Sequence, residues 1–406
     1  MAKEMWIIMK VTRTWNQQEV KKENKFLVMQ KLIDSSPISR AEIANTTGLN
    51  KGTVSSLVNE LLEDELIYES GEGQSSGGRR PVMLIFNQIA GYSIGIDIGV
   101  NYLLGLLTDL QGNICHEKKV RFSDLTYEQI KMKVFEVIDF LKAVAPPSPY
   151  GVIGIGIGVP GTVNNSGEIL LAPNLGWKNA HLKEVIQERY QVPVIIENEA
   201  NAGAYGEKHF GTGTNSNNIV YISIGIGIGV GLILNGNLYK GSNGFSGELG
   251  HMTIEANGIQ CRCGSEGCWE RYASEKSLLK SAQQLGVKPG ADKELSLEHL
   301  LLLAENGDKE VIKLFEEIGD YLGIGVKNII NIFNPEQVII GNRISLAEKW
   351  LKGPLDNRIN QTIWFNQENT KINFLKQATH STALGVAAFS IESFLEKDLK
   401  IKSSIS

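Results

Sequence analysis

Between Gly247 and Glu270 the chain reads Gly-Glu-Leu-Gly-His, nine residues, then Cys-Arg-Cys-Gly-Ser-Glu-Gly-Cys-Trp-Glu. Three of the four cysteines, Cys261, Cys263 and Cys268, fall within eight residues, and His251 lies ten residues before the first. Three thiolates and one imidazole are a donor set for tetrahedral Zn²⁺. Any fold of this chain must therefore bring four donors from one loop to a point, with Gly264 and Gly267 giving the backbone freedom for the turn. The competing patterns are unrelated buried thiols or two disulfides, and bridges at this spacing would be strained. Reduced thiols fit a cytoplasmic protein. Glu248 and Glu270 in the same stretch are not needed by the metal. We therefore expect zinc on His251, Cys261, Cys263 and Cys268 to prop up a binding site.

No run of apolar residues is long enough to span a membrane, and Trp6 to Met9 is too short for a signal-peptide core. Met9 is a second possible start, because the residues before it fit no element. The net charge of −5 hides a basic N-terminus: residues 10 to 56 carry eight Lys/Arg against four acids. A basic end on an acidic body points to a nucleic-acid partner there.

The pattern of residues 16–62 agrees. A helix over 16–34 shows a basic face and a stripe of Phe26, Leu27, Met29 or Gln30, and Ile33. Ser39 and Glu42 form a capping box that opens a second helix, Gly48 ends it, and Asn50 can cap a third. The third helix places Val54, Leu57, Val58, Leu61 and Leu62 at helical spacing. Its other face offers Lys51, Thr53, Ser55, Ser56 and Asn59 to phosphates and base edges. This is a helix-turn-helix with the third helix as reader. Strands at 66–70 and 81–86 around a glycine-rich loop make a wing, with Arg79 and Arg80 at its base. The acids Glu63, Asp64 and Glu65 favour a protein-interaction module instead, but they lie at the far end of the reader helix.

From Gly91 the texture changes to apolar strands with glycine-rich ends. Strands at 92–99, 102–108 and 114–122, a helix at 126–144 and a strand at 151–159 are followed by a similar start at 218–224, with 232–238 as its hairpin partner. Two such units facing one cleft suit an actin/hexokinase-like α/β fold. A strand from Val194 delivers Asn198 and Glu199 to its end, where short amides and carboxylates suit a polyol cleft. The expected domains are 1–88 (winged helix-turn-helix), 89–196 (first lobe, completed by a C-terminal helix at 382–397) and 197–381 (second lobe with the metal site). Cys115, outside the cluster, reads as a small buried hydrophobe.

The string His251…Cys261-x-Cys263-Gly264-x-x-Gly267-Cys268-x-Glu270 resembles the signature of the ROK family of sugar kinases and repressors, and the likeness runs over most of residues 16 to 390. Gln74 to Leu84, Glu197 to Glu207 and Gly244 to Glu248 look most like the xylose repressors of Bacillus-type Firmicutes. The resemblance implies a two-lobed, ribonuclease-H-like body. It also implies that Asn174, Asn198, Glu199, Glu248, His251 and Glu270 hold sugar hydroxyls. His251 would then bind metal through one ring nitrogen and sugar through the other.

Family kinases carry Asp-x-Gly-Gly-Thr after the first strand; here the string is Asp97-Ile98-Gly99-Val100-Asn101. Ile226 stands where they have a threonine, Asn342 where they have a second glycine, and Glu199 where they have the catalytic aspartate. All four departures fall on nucleotide binding or proton transfer. We expect a sugar-released repressor on double-stranded operator DNA, a homodimer or dimer of dimers with xylose or a related aldose as inducer. The competing class is a sugar kinase with an appended DNA-binding domain.

Overall fold

The computed structural model describes residues 17–72, 80–290, 295–361, 370–376 and 379–401. Contacts divide the chain into one unit of residues 1–90 and 392–406 and a second of 91–391.

The first unit is a winged helix. Helices Gln17–Ser35, Arg40–Thr47 and Lys51–Glu63 accompany a three-stranded sheet ordered Ile38–Ser39, Val82–Phe86, Ile67–Glu72. Both halves of the Ser39/Glu42 capping box form, Gly48 takes the left-handed conformation at φ 72°, and Asn50 accepts from the Thr53 amide at 2.8 Å. The stripe of the first helix is corrected by one position. Val28, Met29 and Leu32 are buried while Phe26 and Leu27 stay exposed. Lys25 explains the shift: it is buried at 6% exposure and pairs with Asp64 at 2.9 Å. Asp64, just after helix Lys51–Glu63, thus anchors the first helix.

The second unit contains two five-stranded sheets of the same topology. The first is ordered Val194–Asn198, Val152–Val159, Tyr92–Ile98, Tyr102–Asp109, Ile114–Arg121. The second is ordered Lys371–Phe374, Gln337–Gly341, Ile219–Ile224, Ile228–Leu234, Asn237–Leu238. In each, three strands run parallel and a hairpin extends the edge. The second hairpin turns earlier than expected, because Gly225–Gly227 makes the turn itself and Ile228 pairs with Ile224. Cys115 is corrected: it is exposed, on an outer strand whose residues are almost all exposed.

Helices Glu199–Phe210 and Ser381–Ile401 pack closely through glycine. A Cβ on Gly206 would collide with the Ser381 carbonyl, and one on Gly385 with the Ala202 carbonyl. The later helix also lies on the first sheet, where Gly95 and Gly156 clear the Ala383 and Val386 carbonyls. Against the second sheet, helix Lys309–Phe333 buries Val311, Phe315, Leu322 and Val326.

Candidate functional site

Trp269 fixes the metal loop to the body. It is fully buried, its ring rests where a Cβ of Gly325 would be, and its Nε1 donates to the Tyr321 carbonyl at 2.9 Å. Its neighbour Cys268 is thereby held beside Cys263, with the sulfurs 3.6 Å apart, while Cys261 Sγ lies 3.6 Å from His251 Nδ1. Ligands at ordinary zinc–sulfur and zinc–nitrogen bond lengths span tetrahedral edges of roughly 3.6 to 3.8 Å. All four donor atoms lie within 4.8 Å of one another, and the cysteines are free thiols. The cluster could therefore hold a metal ion. The backbone N–H of Ser265 is the first cause of a lowered Cys263 pKa, to about 7, which favours the thiolate a metal needs.

Two glycines seat the turn that carries His251. Gly247 at φ 91° and Gly250 let the segment Glu248–His251 lie directly on the carbonyls of Val230 and Ile228, where any side chain would clash. His251 points Nδ1 at the cysteines and Nε2 toward Glu248, 4.0 Å away. Glu270 follows Trp269 and brings Oε1 to 3.9 Å from His251 Nδ1, where it also accepts from Cys261 Sγ at 3.3 Å.

These residues face a cavity of about 450 Å³ lined from both sheets. Asn174, Asn198, Glu199, Glu248, His251 and Glu270 all line it. Asn174 sits in the exposed turn between Ile169–Ala172 and Trp177–Ala180. Asn198 is mostly committed elsewhere. Its Oδ1 caps the amides of Ala200 and Asn201, and Nδ2 donates to the Gly161 carbonyl at 2.9 Å, leaving one N–H to offer. Glu199 starts the capped helix, and its pKa is pushed up to about 8, by burial first and then by the charge of Asp97. Burial likewise raises Asp97 to about 7, although Tyr102 Oη donates to its Oδ2 at 2.7 Å. Glu248 keeps 54% of its side chain open, yet the cavity walls still raise its pKa, with His251 pulling it down.

At the glycine end of the cavity, the Tyr102 ring lies where a Cβ of Gly99 would stand, and the Asn342 amide packs over Gly225 and donates to Ser223 Oγ at 3.1 Å. Sequence reasoning missed Arg343 and Glu275, which line the same end. Arg343 bridges Glu275 at 3.2 Å and Glu298 at 2.7 Å, and Arg121 from the first sheet reaches Glu298 at 3.7 Å. Lys240 also joins the halves, pairing with buried Glu197 at 2.6 Å. None of these roles is visible in spacing, since each depends on a distant partner.

On the winged-helix unit, Lys51, Ser56 and Asn59 are exposed, and Thr53 and Ser55 are half-buried on the same helix. Asn59 Oδ1 accepts from Arg40 at 3.3 Å, and Arg40 is held by Glu69 at 3.2 Å. Arg40 is thus a further cation beside the Lys51–Asn59 face. Arg80 is exposed, and Arg79 lies outside the described residues.

A duplicated sheet of this topology around a glycine-lined cavity defines an actin/hexokinase-like body, here accompanied by a winged helix. The chain belongs to the ROK family, whose sequence profile matches residues 93–392. It is 46% identical over 383 residues to the xylose repressor of Bacillus subtilis, covering 94% of this chain and 98% of that protein. A crystal structure of a ROK family transcriptional regulator, a homolog of the Escherichia coli MLC protein, matches with a TM-score of 0.78 at 28% identity, over 94% of this chain and 98% of that one. A ROK family glucokinase from Streptomyces griseus, solved with glucose and AMPPNP, matches with a TM-score of 0.66 at 28% identity, over 74% of this chain and 99% of that one. No helix among the described residues is long and apolar enough to cross a membrane.

Proposed function

We propose that this chain is a sugar-responsive DNA-binding repressor, with xylose or a close aldose as its effector. One observation carries the reading: six side chains suited to hydroxyl groups surround one cavity that borders the metal cluster. The Glu248 and Glu270 side chains accept from sugar hydroxyls, and the protonated Glu199 carboxyl and the remaining amide and imidazole N–H groups donate. Similarity to a xylose repressor over nearly the whole length supports the choice of sugar. Zinc is the metal we assign to His251, Cys261, Cys263 and Cys268. With all four positions filled by protein it would be structural, holding His251 at a fixed tautomer.

The protein binds its operator through Lys51, Thr53, Ser55, Ser56 and Asn59, with Arg79 and Arg80 on the wing, as a homodimer or dimer of dimers on a palindromic site. Sugar and operator oppose one another, each lowering the affinity for the other by the same factor. We assign no kinase activity. The Tyr102 ring packed on Gly99, Ile226 in the turn and Asn342 over Gly225 support this reading, since they put side chains beside glycines where family kinases keep bare backbone. Glu199 with a pKa near 8 is mostly protonated at neutral pH and is a poor base there. The alternative, a sugar kinase, draws on the likeness to the glucokinase fold. Calorimetric titration with an aldose panel, with and without ATP, and again on the operator complex, tests both. Xylose binding that DNA weakens is expected; ATP-dependent turnover would favour the kinase, and equal xylose affinity with and without DNA would sink the repressor switch.

A further inference from the structure

On its outer side the metal loop borders a second, larger cleft of about 990 Å³, formed with helix Glu275–Gln284. Among the described residues, Arg262, Arg271, Lys276 and Lys280 line it against one carboxylate, Glu270, in a chain whose net charge is −5. No carboxylate stands at ion-pair distance from any of the four among the described residues. Nearby cations behave differently, for Arg343 and Lys240 each take a carboxylate partner. The Nε of Arg271 is buried with no acceptor among the described residues, a costly state for a polar atom. Burial, then the neighbouring Arg262 and Arg271, hold the Lys276 ammonium below the usual lysine range. Cations crowded in this way repel one another until a multiply charged anion arrives. Leu279 and Val287 give the cleft an apolar side, and the space exceeds what an inorganic ion fills.

We propose that this cleft binds a small phosphate monoester, its phosphate held by Arg271, Lys276 and Lys280 and its organic part against Leu279 and Val287. A guanidinium fork matches phosphate oxygens bidentately, which is the reason for choosing phosphate over a carboxylate. Arg262 and Glu270 line both this cleft and the sugar cavity. Occupancy of one site therefore alters the other, and the ester adjusts sugar affinity. The binding site stands apart from the sugar reading; only the coupling rests on it.

The test is calorimetry on the full chain as purified, with AMP, ribose 5-phosphate and inorganic phosphate as separate arms at constant ionic strength. One-to-one binding of an ester is expected, about tenfold or more tighter than inorganic phosphate. AMP or ribose 5-phosphate as the tighter arm distinguishes a nucleotide from a sugar phosphate. Lys276→Gln/Lys280→Gln should weaken the ester by about tenfold or more per charge removed. Neither lysine lines the sugar cavity, so xylose titration and the melting temperature report whether that variant is folded. Arg271→Gln is the second variant if the first does not fold. Absence of ester binding, ester affinity unmoved by both variants, inorganic phosphate binding as tightly, or competitive displacement by xylose would each overturn the site. An unchanged xylose affinity at saturating ester overturns the coupling alone. If xylose itself does not bind, the sugar reading fails while the ester arms still decide the site.

Discussion

Raising the pH from about 6 to about 8.5 weakens the body of this protein through two carboxyl groups, Asp97 and Glu199. Asp97 is 2% exposed, its Oδ1 meets no donor among the described residues, and burial raises its pKa to about 7. Glu199, with burial and the Asp97 charge acting together, rises to about 8. In the unfolded chain both return to roughly 4. The folded state thus keeps protons that the unfolded chain has already lost between about pH 4 and pH 8, so stability falls as pH rises through that window. Each pH unit in which a group is protonated only in the fold is worth ~1.4 kcal/mol. Over the range considered, Asp97 contributes roughly one such unit and Glu199 roughly two, or about 4 kcal/mol for the pair. Glu199→Gln removes more than half of that dependence, because the amide has no proton to lose and no charge to impose on Asp97. Urea unfolding followed by tryptophan fluorescence at several pH values measures it. Equal pH slopes for wild type and Glu199→Gln would show that Glu199 holds no extra proton in the fold, as would a wild type that gains stability toward alkaline pH.

Metal analysis of freshly purified protein should give one zinc per chain, and Cys263→Ser should lower both zinc content and xylose affinity while Cys115→Ser changes neither. Lys51→Ala should weaken operator binding and reduce the slope of log affinity against log salt by about one phosphate contact; an unchanged slope means Lys51 is away from the backbone. Gly325→Ala places a methyl group into the Trp269 ring, and overpacking of this kind costs about 1–3 kcal/mol. Its melting temperature should fall and its zinc be removed faster by a chelator, whereas a variant as stable as wild type would show that the ring does not anchor the metal loop.

Much of the winged helix was legible because its signals are local. Ser39, Glu42, Gly48 and Asn50 each act within four residues of themselves. The buried face of the first helix was not, since it depends on Lys25 reaching Asp64 across 39 positions. The two-residue strand Ile38–Ser39 escaped notice for the same reason: its partners are Leu84 and Met83. In the body, the repeated strand order was visible in the glycine-ended apolar runs. The exposure of Cys115 was not, because an outer strand of β-branched and charged residues carries no mark of which sheet face is covered. At the cavity, residue types and family likeness named the six side chains, but only the fold shows that Asn198 spends most of its amide on a helix cap and the Gly161 carbonyl.

The helix Ser381–Ile401 has a consequence for how the protein is made. Its residue Ala387 accepts a hydrogen bond from Ser93, 294 positions earlier, and its backbone fills the space kept clear by Gly95 and Gly156. A ribosome adding about 5–20 residues per second needs roughly 15 to 60 s to cover that distance. For the later part of that interval, once strand Val194–Asn198 has been made, the first sheet stands without the helix that covers it, while the second sheet is being synthesised. The nascent chain therefore presents a bare, glycine-studded sheet face to the cell, and chaperones that hold apolar surface have their longest opportunity there.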